Sequence, residues 1–216
     1  MSEIPEKEKH YRRSIRLKEY DYSTPGAYFV TVCALNREHL FGKIVDGKIR
    51  LNKTGKIIQS GWGELSQNYQ GVNTDAFVVM PNHIHGIIVL SSVGATLRGC
   101  PPLGQAQGPA PTMSLPDVVH RFKSLTTTRY RKSLLQDYSQ QFSGWLWQRN
   151  YYEHVVRNED ELNRIREYIL YNPLQWRYDR ENHEYIQDKN YDVQWADFEK
   201  LIYGKQNGSR QQVCST

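Results

Sequence analysis

The residues with the clearest chemical meaning are two histidines, His83 and His85, in the otherwise apolar run 78–90. Such a run is typical of a buried strand, and side chains two residues apart on a strand project from the same face. The pattern therefore places the two imidazoles side by side. Paired imidazoles are typical of a metal site, but two core histidines hydrogen-bonded to their neighbours would show the same spacing.

A second pair, Tyr168 and Asn172, lies on a segment with helical periodicity that starts at Asn158 or Asp160 and ends before Pro173. Residues four apart on a helix share a face. A tyrosine hydroxyl, with an ordinary pKa of about 10, is a weak nucleophile at neutral pH. A divalent cation held by the histidines would polarise a phosphate and assist attack on it. The two pairs together predict nucleic-acid strand cleavage through a covalent phosphotyrosine.

This second pair has competing interpretations. Tyr151 and Tyr152 fall on the preceding predicted strand, where core packing or base stacking suits them better, and Tyr171 points elsewhere on the helix. Asn172 also fits the plain role of the last helical residue before a proline.

The predicted donor set indicates the kind of metal. Two imidazoles and an amide oxygen leave coordination positions open, which suits a hard ion such as Mg²⁺ or Mn²⁺. A closed zinc site needs four ligands, and the sequence offers no convincing fourth. An unrelated zinc hydrolase, with one further His, Asp or Glu ligand brought close in space, remains an alternative.

The charge balance suits a polyanionic partner. The 216-residue chain has a net charge of +5 and a pI of about 9.0, and its 15 tyrosines include candidates for base stacking. Basic side chains predicted to contact DNA phosphates, or else to form merely solvated surfaces, are Arg12, Arg13, Arg16, Lys123, Arg129 and Arg131.

The lack of targeting signals and the scattered cysteines are typical of a folded cytoplasmic protein. No apolar run approaches a membrane span, and the polar N-terminus lacks a signal-peptide core. We therefore expect a cytoplasmic protein without a membrane partner. The three cysteines are scattered and show neither metal spacing nor a disulfide framework.

The order of predicted elements indicates an α+β fold. A strand, a helix, two strands, a helix and a strand form a βαββαβ unit, the ferredoxin-like arrangement, with an antiparallel sheet, helices on one face and the histidine strand in the centre. A further helix carries Tyr168. The predicted strands are 27–35, 76–80, the histidine run and 145–156; the predicted helices are 53–68, one opening near 114, and the final one ending at 172; Asp46-Gly47 marks a hairpin within 41–51.

The predicted domain organisation has three parts. Residues 1–22 form a basic arm, 23–173 the domain, and 174–216 a polar extension with spaced aromatics. A Gly- and Pro-rich stretch at 91–112 interrupts the domain and is typical of a flexible insertion.

Four blocks of sequence, in order, give the chain a family resemblance. The His83-Ile84-His85 element resembles the signature of HUH single-strand endonucleases. The blocks at 12–31, 147–157 and 167–173 are similar to those of REP-associated tyrosine transposases, which are relatives of the IS200/IS605 transposases. These blocks are spread, in the family's order, over most of the span from residue 11 to residue 173, and the ordered set is far more specific than the histidine motif alone.

This resemblance implies a fold, a reaction and a set of roles. The fold would be the HUH arrangement on a ferredoxin-like sheet. Tyr168 would be the nucleophile and His83, His85 and Asn172 the ligands of a divalent metal. The substrate would be single-stranded DNA or hairpin-forming palindromic repeats, cut to a 5′-phosphotyrosine and a free 3′-hydroxyl. A chain that only binds hairpins, without cleavage, is the alternative, and monomer and homodimer both stay open.

Overall fold

Four antiparallel strands form the sheet on which the histidine pair is mounted. The computed structural model describes residues 20–91, 113–136 and 145–182. Residues 1–19 of the predicted basic arm, residues 92–112 of the predicted insertion and most of the predicted C-terminal extension therefore lie outside the described residues. The elements are, in chain order, β1 (Gly26–Cys33), β2 (Gly42–Val45), β3 (Lys48–Leu51), α1 (Lys53–Gly63), α2 (Leu65–Asn68), β4 (Val72–Val79), β5 (His83–Leu90), α3 (Leu115–Gln136), β6 (Tyr152–Val155) and α4 (Glu159–Tyr171). A 3-10 turn at Leu35–Arg37 follows β1, and a 3-10 segment at Asn172–Tyr178 follows α4.

The strand order confirms the predicted ferredoxin-like arrangement. The sheet runs β4-β5-β1-β6, with every neighbouring pair antiparallel, while β2 and β3 form a separate two-stranded ribbon. With that ribbon set aside, the four sheet strands follow the split βαβ order of the ferredoxin-like fold. The histidine strand β5 lies between β1 and β4, which is the central position expected for it.

Alternation along β5 divides the core into two parts. Ile84 and Ile88 face α1 and α3 and belong to the larger cluster, with Phe122 of α3. Ile87 faces the opposite way and packs with Ile165 of α4. Because both faces are covered, β5 is buried along nearly all its length. Burial of each of these side chains contributes about 1.5–3 kcal/mol.

Local signals define the ends of the elements that carry the site. Asn158 caps α4, accepting a hydrogen bond from the backbone N–H of Glu161 at 2.8 Å. The Asp46-Gly47 turn has positive φ at both residues, 52° and 68°, as a type I′ hairpin requires. The hairpin predicted from this dipeptide is therefore confirmed.

Two predicted elements need correction. The helix expected over 53–68 is interrupted at Glu64, just after Gly63, a residue that costs a helix about 1 kcal/mol relative to alanine. The strand expected over 145–156 is limited to Tyr152–Val155. The reason is that the ammonium of Lys123 binds the backbone carbonyls of 148–150, at 2.9, 3.2 and 3.0 Å, so these carbonyls do not join a ladder.

Gly86 follows His85 on β5 and faces the ring of Trp62, so a substitution there tests how tightly β5 is packed. A methyl group there would meet the Trp62 ring, with Cη2 only 2.6 Å away, and that ring is stacked on Phe77. We expect Gly86→Ala to lower the free energy of unfolding by about 1–3 kcal/mol through overpacking. Chemical denaturation measures this change.

Gly63→Ala is the matched control for this substitution. A methyl group at Gly63 meets no atom of the described residues within 4 Å, so the substitution should be neutral or stabilise the helix by up to about 1 kcal/mol. Equal stability of the two variants would contradict the packing described for β5.

Candidate metal centre and nucleophile

The two histidines of β5 form a buried pair of nitrogen donors. Both residues are 0% exposed, and their Nε2 atoms lie 2.9 Å apart. Two ligands at right angles around an ion, each at about 2.1 Å, would lie about 3.0 Å apart. The pair is therefore spaced as neighbouring ligands of a single ion would be, which confirms that the imidazoles share one face of the strand.

Hydrogen bonds to the outer ring nitrogens determine which nitrogen of His83 faces the site. The amide nitrogen of Asn82 donates to the carbonyls of Arg37 and Glu181, at 3.0 and 2.7 Å. The amide oxygen of Asn82 therefore faces His83 and accepts from its Nδ1–H at 2.8 Å. This leaves the Nε2 of His83 with a lone pair for a cation. The Nδ1 of His85 is held 2.8 Å from the hydroxyl of Thr31.

A third candidate ligand, Asp179, comes from the segment after α4. Its Oδ2 lies 3.6 Å from the Nε2 of His83 and 4.0 Å from that of His85. The carboxylate is buried, its Oδ1 accepts the backbone N–H of Glu181 at 2.7 Å, and its Oδ2 has no hydrogen-bond partner among the described residues. The three donor atoms lie within 4.8 Å of one another, so this buried group could hold a metal ion.

Sequence reasoning missed Asp179. It lies in a polar stretch with no periodicity and no motif spacing to the histidines. The only local signal was an acidic residue shortly after the Asn172-Pro173 pair that ends the helical segment. That signal is too common to single it out.

The charge states of these groups favour a cation. Burial lowers the pKa of His83 to about 3, so its imidazole is neutral at pH 7. Burial also pushes the pKa of Asp179 upward, but the imidazoles of His83 and His85 and the N–H of Glu181 outweigh it and lower that pKa to about 2. The ionised carboxylate and the neutral imidazole nitrogen are both suitable ligands for a divalent cation, which would also offset the buried negative charge.

The structure brings Tyr168 to this group. Its hydroxyl lies 3.3 Å from the Nε2 of His85, its ring packs edge-on against His85 and Phe29, and the residue is 3% exposed. Two of the competing tyrosines lie elsewhere: Tyr171 is 49% exposed, and the ring of Tyr151 lies under the ammonium of Lys123. The third, Tyr152 of β6, is half-buried and packs against the cluster that contains Tyr168. The buried face of α4 thus places one tyrosine hydroxyl beside the paired nitrogens.

Asn172 lies where α4 ends, one helical turn after Tyr168. It is 1% exposed, and its side-chain oxygen is buried without a hydrogen-bond partner in the described part of the chain. An orphaned buried acceptor is costly unless something binds it. Asn172 therefore stays a predicted ligand, while Asp179 adds a charged oxygen that the sequence did not reveal.

Three of the six predicted DNA-contacting residues lie on α3, and two of these three bind groups of the protein itself. Lys123 binds the three backbone carbonyls of 148–150, and Arg129 makes two hydrogen bonds to the carboxylate of Glu64, one at 2.8 Å. Arg131 is exposed on α3. The remaining three predicted residues, Arg12, Arg13 and Arg16, lie outside the described residues.

The Asn172–Tyr178 segment and residues 179–182 pack against the site. The Trp176 ring lies 6.1 Å from that of His83, and Glu181 binds both Asn82 and Arg37.

Within the described ranges, no helix has the length and apolarity needed to cross a membrane.

Comparisons with known proteins place the chain among transposases. Residues 108–172, which include α3, β6 and α4, match the model of the family described as "Transposase IS200 like". An uncharacterized protein of Haemophilus influenzae is 39% identical over 174 residues, which are 79% of this chain and 93% of that protein. The structure of a REP-associated tyrosine transposase bound to a REP hairpin is similar with a TM-score of 0.48 and 19% identity, over 76% of each chain.

The buried His83 generates a pH dependence of stability. In the unfolded chain this group has its ordinary pKa of about 6.5, and in the folded chain a pKa of about 3. Because the unfolded state takes up the proton first, stability present above pH 6.5 is lost as the pH falls. We expect a loss of about 2 kcal/mol between pH 7 and pH 5, measured by urea denaturation in the presence of a chelator.

The control for this experiment is the exposed His120. His83→Asn should flatten the pH dependence between pH 7 and pH 5, whereas His120→Asn should leave it unchanged. An unaltered profile in His83→Asn would show that another group is responsible.

Proposed function

Because the chain belongs to the IS200-like transposase family, we propose that it is a metal-dependent single-stranded DNA endonuclease and strand transferase with Tyr168 as its nucleophile. The observation that carries the proposal is the tyrosine hydroxyl 3.3 Å from the Nε2 of His85, which is one of two buried nitrogens paired with the Asp179 carboxylate. A nucleophile placed beside a cation site is the arrangement that phosphodiester cleavage needs.

The proposed reaction is an in-line exchange at phosphorus. The Tyr168 oxygen forms a bond to the scissile phosphate while the bond from phosphorus to the 3′-oxygen of the neighbouring nucleotide breaks. The phenol loses one proton and the departing 3′-oxygen gains one. The products are a 5′-phosphotyrosine and a free 3′-hydroxyl, and because the phosphodiester energy is conserved, a second 3′-hydroxyl can reverse the step and join the strands.

The residues around Tyr168 fit a divalent ion. His83 and His85 would supply nitrogen, and Asp179 and Asn172 the candidate oxygens. When bound, Mg²⁺ or Mn²⁺ polarises the phosphate and offsets the charge that develops on it. Asn82 and Thr31 hold the outer ring nitrogens and so keep both imidazoles oriented for the ion.

The proposed substrate is single-stranded or hairpin-forming DNA. Its support is the net charge of +5 and the sequence blocks shared with transposases that act on palindromic repeats. Contacts from basic side chains would position the phosphate backbone without reading its sequence.

A second function, hairpin binding without cleavage, is favoured by one observation. Tyr168 is only 3% exposed, so a phosphate reaches its hydroxyl only if the residues that cover it move. A chain in which they never move would bind DNA and leave it intact.

The two functions are separated by a Tyr168→Phe substitution. With a labelled hairpin oligonucleotide and Mn²⁺, we expect the unaltered protein to form a covalent adduct that survives a denaturing gel, and Tyr168→Phe to form none while still binding the DNA. The matched control is Tyr171→Phe on the same helix, which should form the adduct. Adduct formation by Tyr168→Phe would contradict the assignment, and absence of the adduct in the unaltered protein would favour the binding function.

The third ligand can be identified by comparing Asp179→Asn with Asn172→Ala. We expect Asp179→Asn to weaken Mn²⁺ binding by at least about tenfold, because among the described residues it removes the one negative charge at ion-pair distance from both histidines. Asn172→Ala should have a smaller effect. Titration calorimetry with Mn²⁺ measures both, and a loss confined to Asn172→Ala would assign the ligand to the asparagine instead.

A further inference from the structure

A groove lies on the α3 side of the sheet, away from α4 and Tyr168. Its volume is about 790 Å³, within the range of about 300–1,000 Å³ typical of pockets for small ligands. It runs between α3 and the segment that precedes β6. Among the described residues that line it, Lys123, Arg131 and Arg149 are cationic and none carries a carboxylate. The groove therefore suits an anionic ligand.

One wall of the groove is a polar stripe along α3. His120, Ser124, Thr127 and Arg131 follow one another at four, three and four residues, so they lie along one face of the helix. Hydroxyl and guanidinium donors in such a row can contact successive oxygens of a phosphate backbone.

The other wall presents an exposed aromatic ring on an anchored backbone segment. Trp145 is 69% exposed at the groove. The segment that carries it is anchored by the buried Trp147, whose indole N–H donates to the Thr126 hydroxyl at 2.9 Å, and by Lys123 through the carbonyls of 148–150. An exposed ring on an anchored segment beside cations is the arrangement on which unpaired bases stack.

The groove is close to the metal centre across the sheet. The backbone N–H of Gln148, in the groove wall, donates to the carbonyl of Cys33 at 2.9 Å, and Cys33 is the register partner of His83. Two strand spacings, roughly 10 Å, therefore separate the wall from the histidine strand. Because β6 is an edge strand of the sheet, a nucleic-acid strand could pass around it from the groove to the face that carries Tyr168.

We propose that this groove binds an unpaired nucleotide of the DNA substrate, with its base stacked on Trp145 and its phosphates contacting Arg131 and Arg149. The inference rests on the proposed function, because it names the part of the substrate that flanks the cleaved phosphate. Lys123 acts here as a positioning residue, since its ammonium holds the backbone of the groove wall.

The test compares two fluorescein-labelled hairpin oligonucleotides, one blunt and one with a single-stranded 5′ extension, by fluorescence anisotropy. We expect Trp145→Ala to weaken binding of the extended hairpin about tenfold and to leave the blunt hairpin unchanged. Trp145→Phe should recover most of the affinity. Arg149→Ala should weaken binding of the extended hairpin and reduce the slope of log affinity against log salt by about 1.

The control is Leu135→Ala, an exposed position on the same helix outside the groove, which should bind both oligonucleotides as the unaltered protein does. Unchanged affinity in Trp145→Ala, or an equal loss for both hairpins, would overturn the groove assignment. Covalent adduct formation by the unaltered protein is measured in parallel. Adduct formation with no effect of Trp145→Ala refutes the groove alone, whereas no adduct and no DNA binding refutes the proposed function.

Discussion

The pleat of β5 is the constraint on which the site depends, because it puts His83 and His85 on one face and the isoleucines of the larger core on the other. Eight register pairs with β1, from Gly26 opposite Leu90 to Cys33 opposite His83, hold that alternation in place. A slip of one residue would send the imidazoles into the α1 and α3 core and the isoleucines toward Tyr168. Strand pairing therefore also sets the geometry of the candidate metal site.

Burial of the imidazoles makes their hydrogen bonds decisive. Asn82 accepts from His83 and donates to the carbonyls of Arg37 and Glu181, so a single amide orients the ligand and attaches the segment that carries Asp179. Without its bond to Asn82, the neutral imidazole of His83 would be buried at a cost, and the backbone N–H of Glu181 offsets the burial of the Asp179 carboxylate in the same way. The three hydrogen bonds of Asn82 therefore orient the His83 ring and also hold the segment after α4 against the site.

The two faces of the sheet have different chemical character. The α4 side holds the nitrogens, the carboxylate and the tyrosine, enclosed by apolar side chains. The α3 side carries cations, hydroxyls and an exposed indole in a groove. The carbonyl of Cys33 connects them, because it accepts from Gln148 of the groove wall while its residue pairs with His83. The proposed nucleotide groove and the proposed catalytic site therefore lie on opposite faces of the sheet and are joined through β1.

Sequence alone determined the features that depend on local spacing. The period of two on β5 paired the histidines, the helical period put Tyr168 and Asn172 on one face of α4, and Asp46-Gly47 gave the hairpin, since each reflects backbone geometry within a few residues. Only the tertiary structure brings Asp179 to the histidines and places Trp145 at the border of a groove. It also directs Lys123 to the backbone carbonyls of 148–150 and Arg129 to the carboxylate of Glu64. Those contacts join residues far apart in the chain, and a local pattern carries no record of which distant groups folding will bring together.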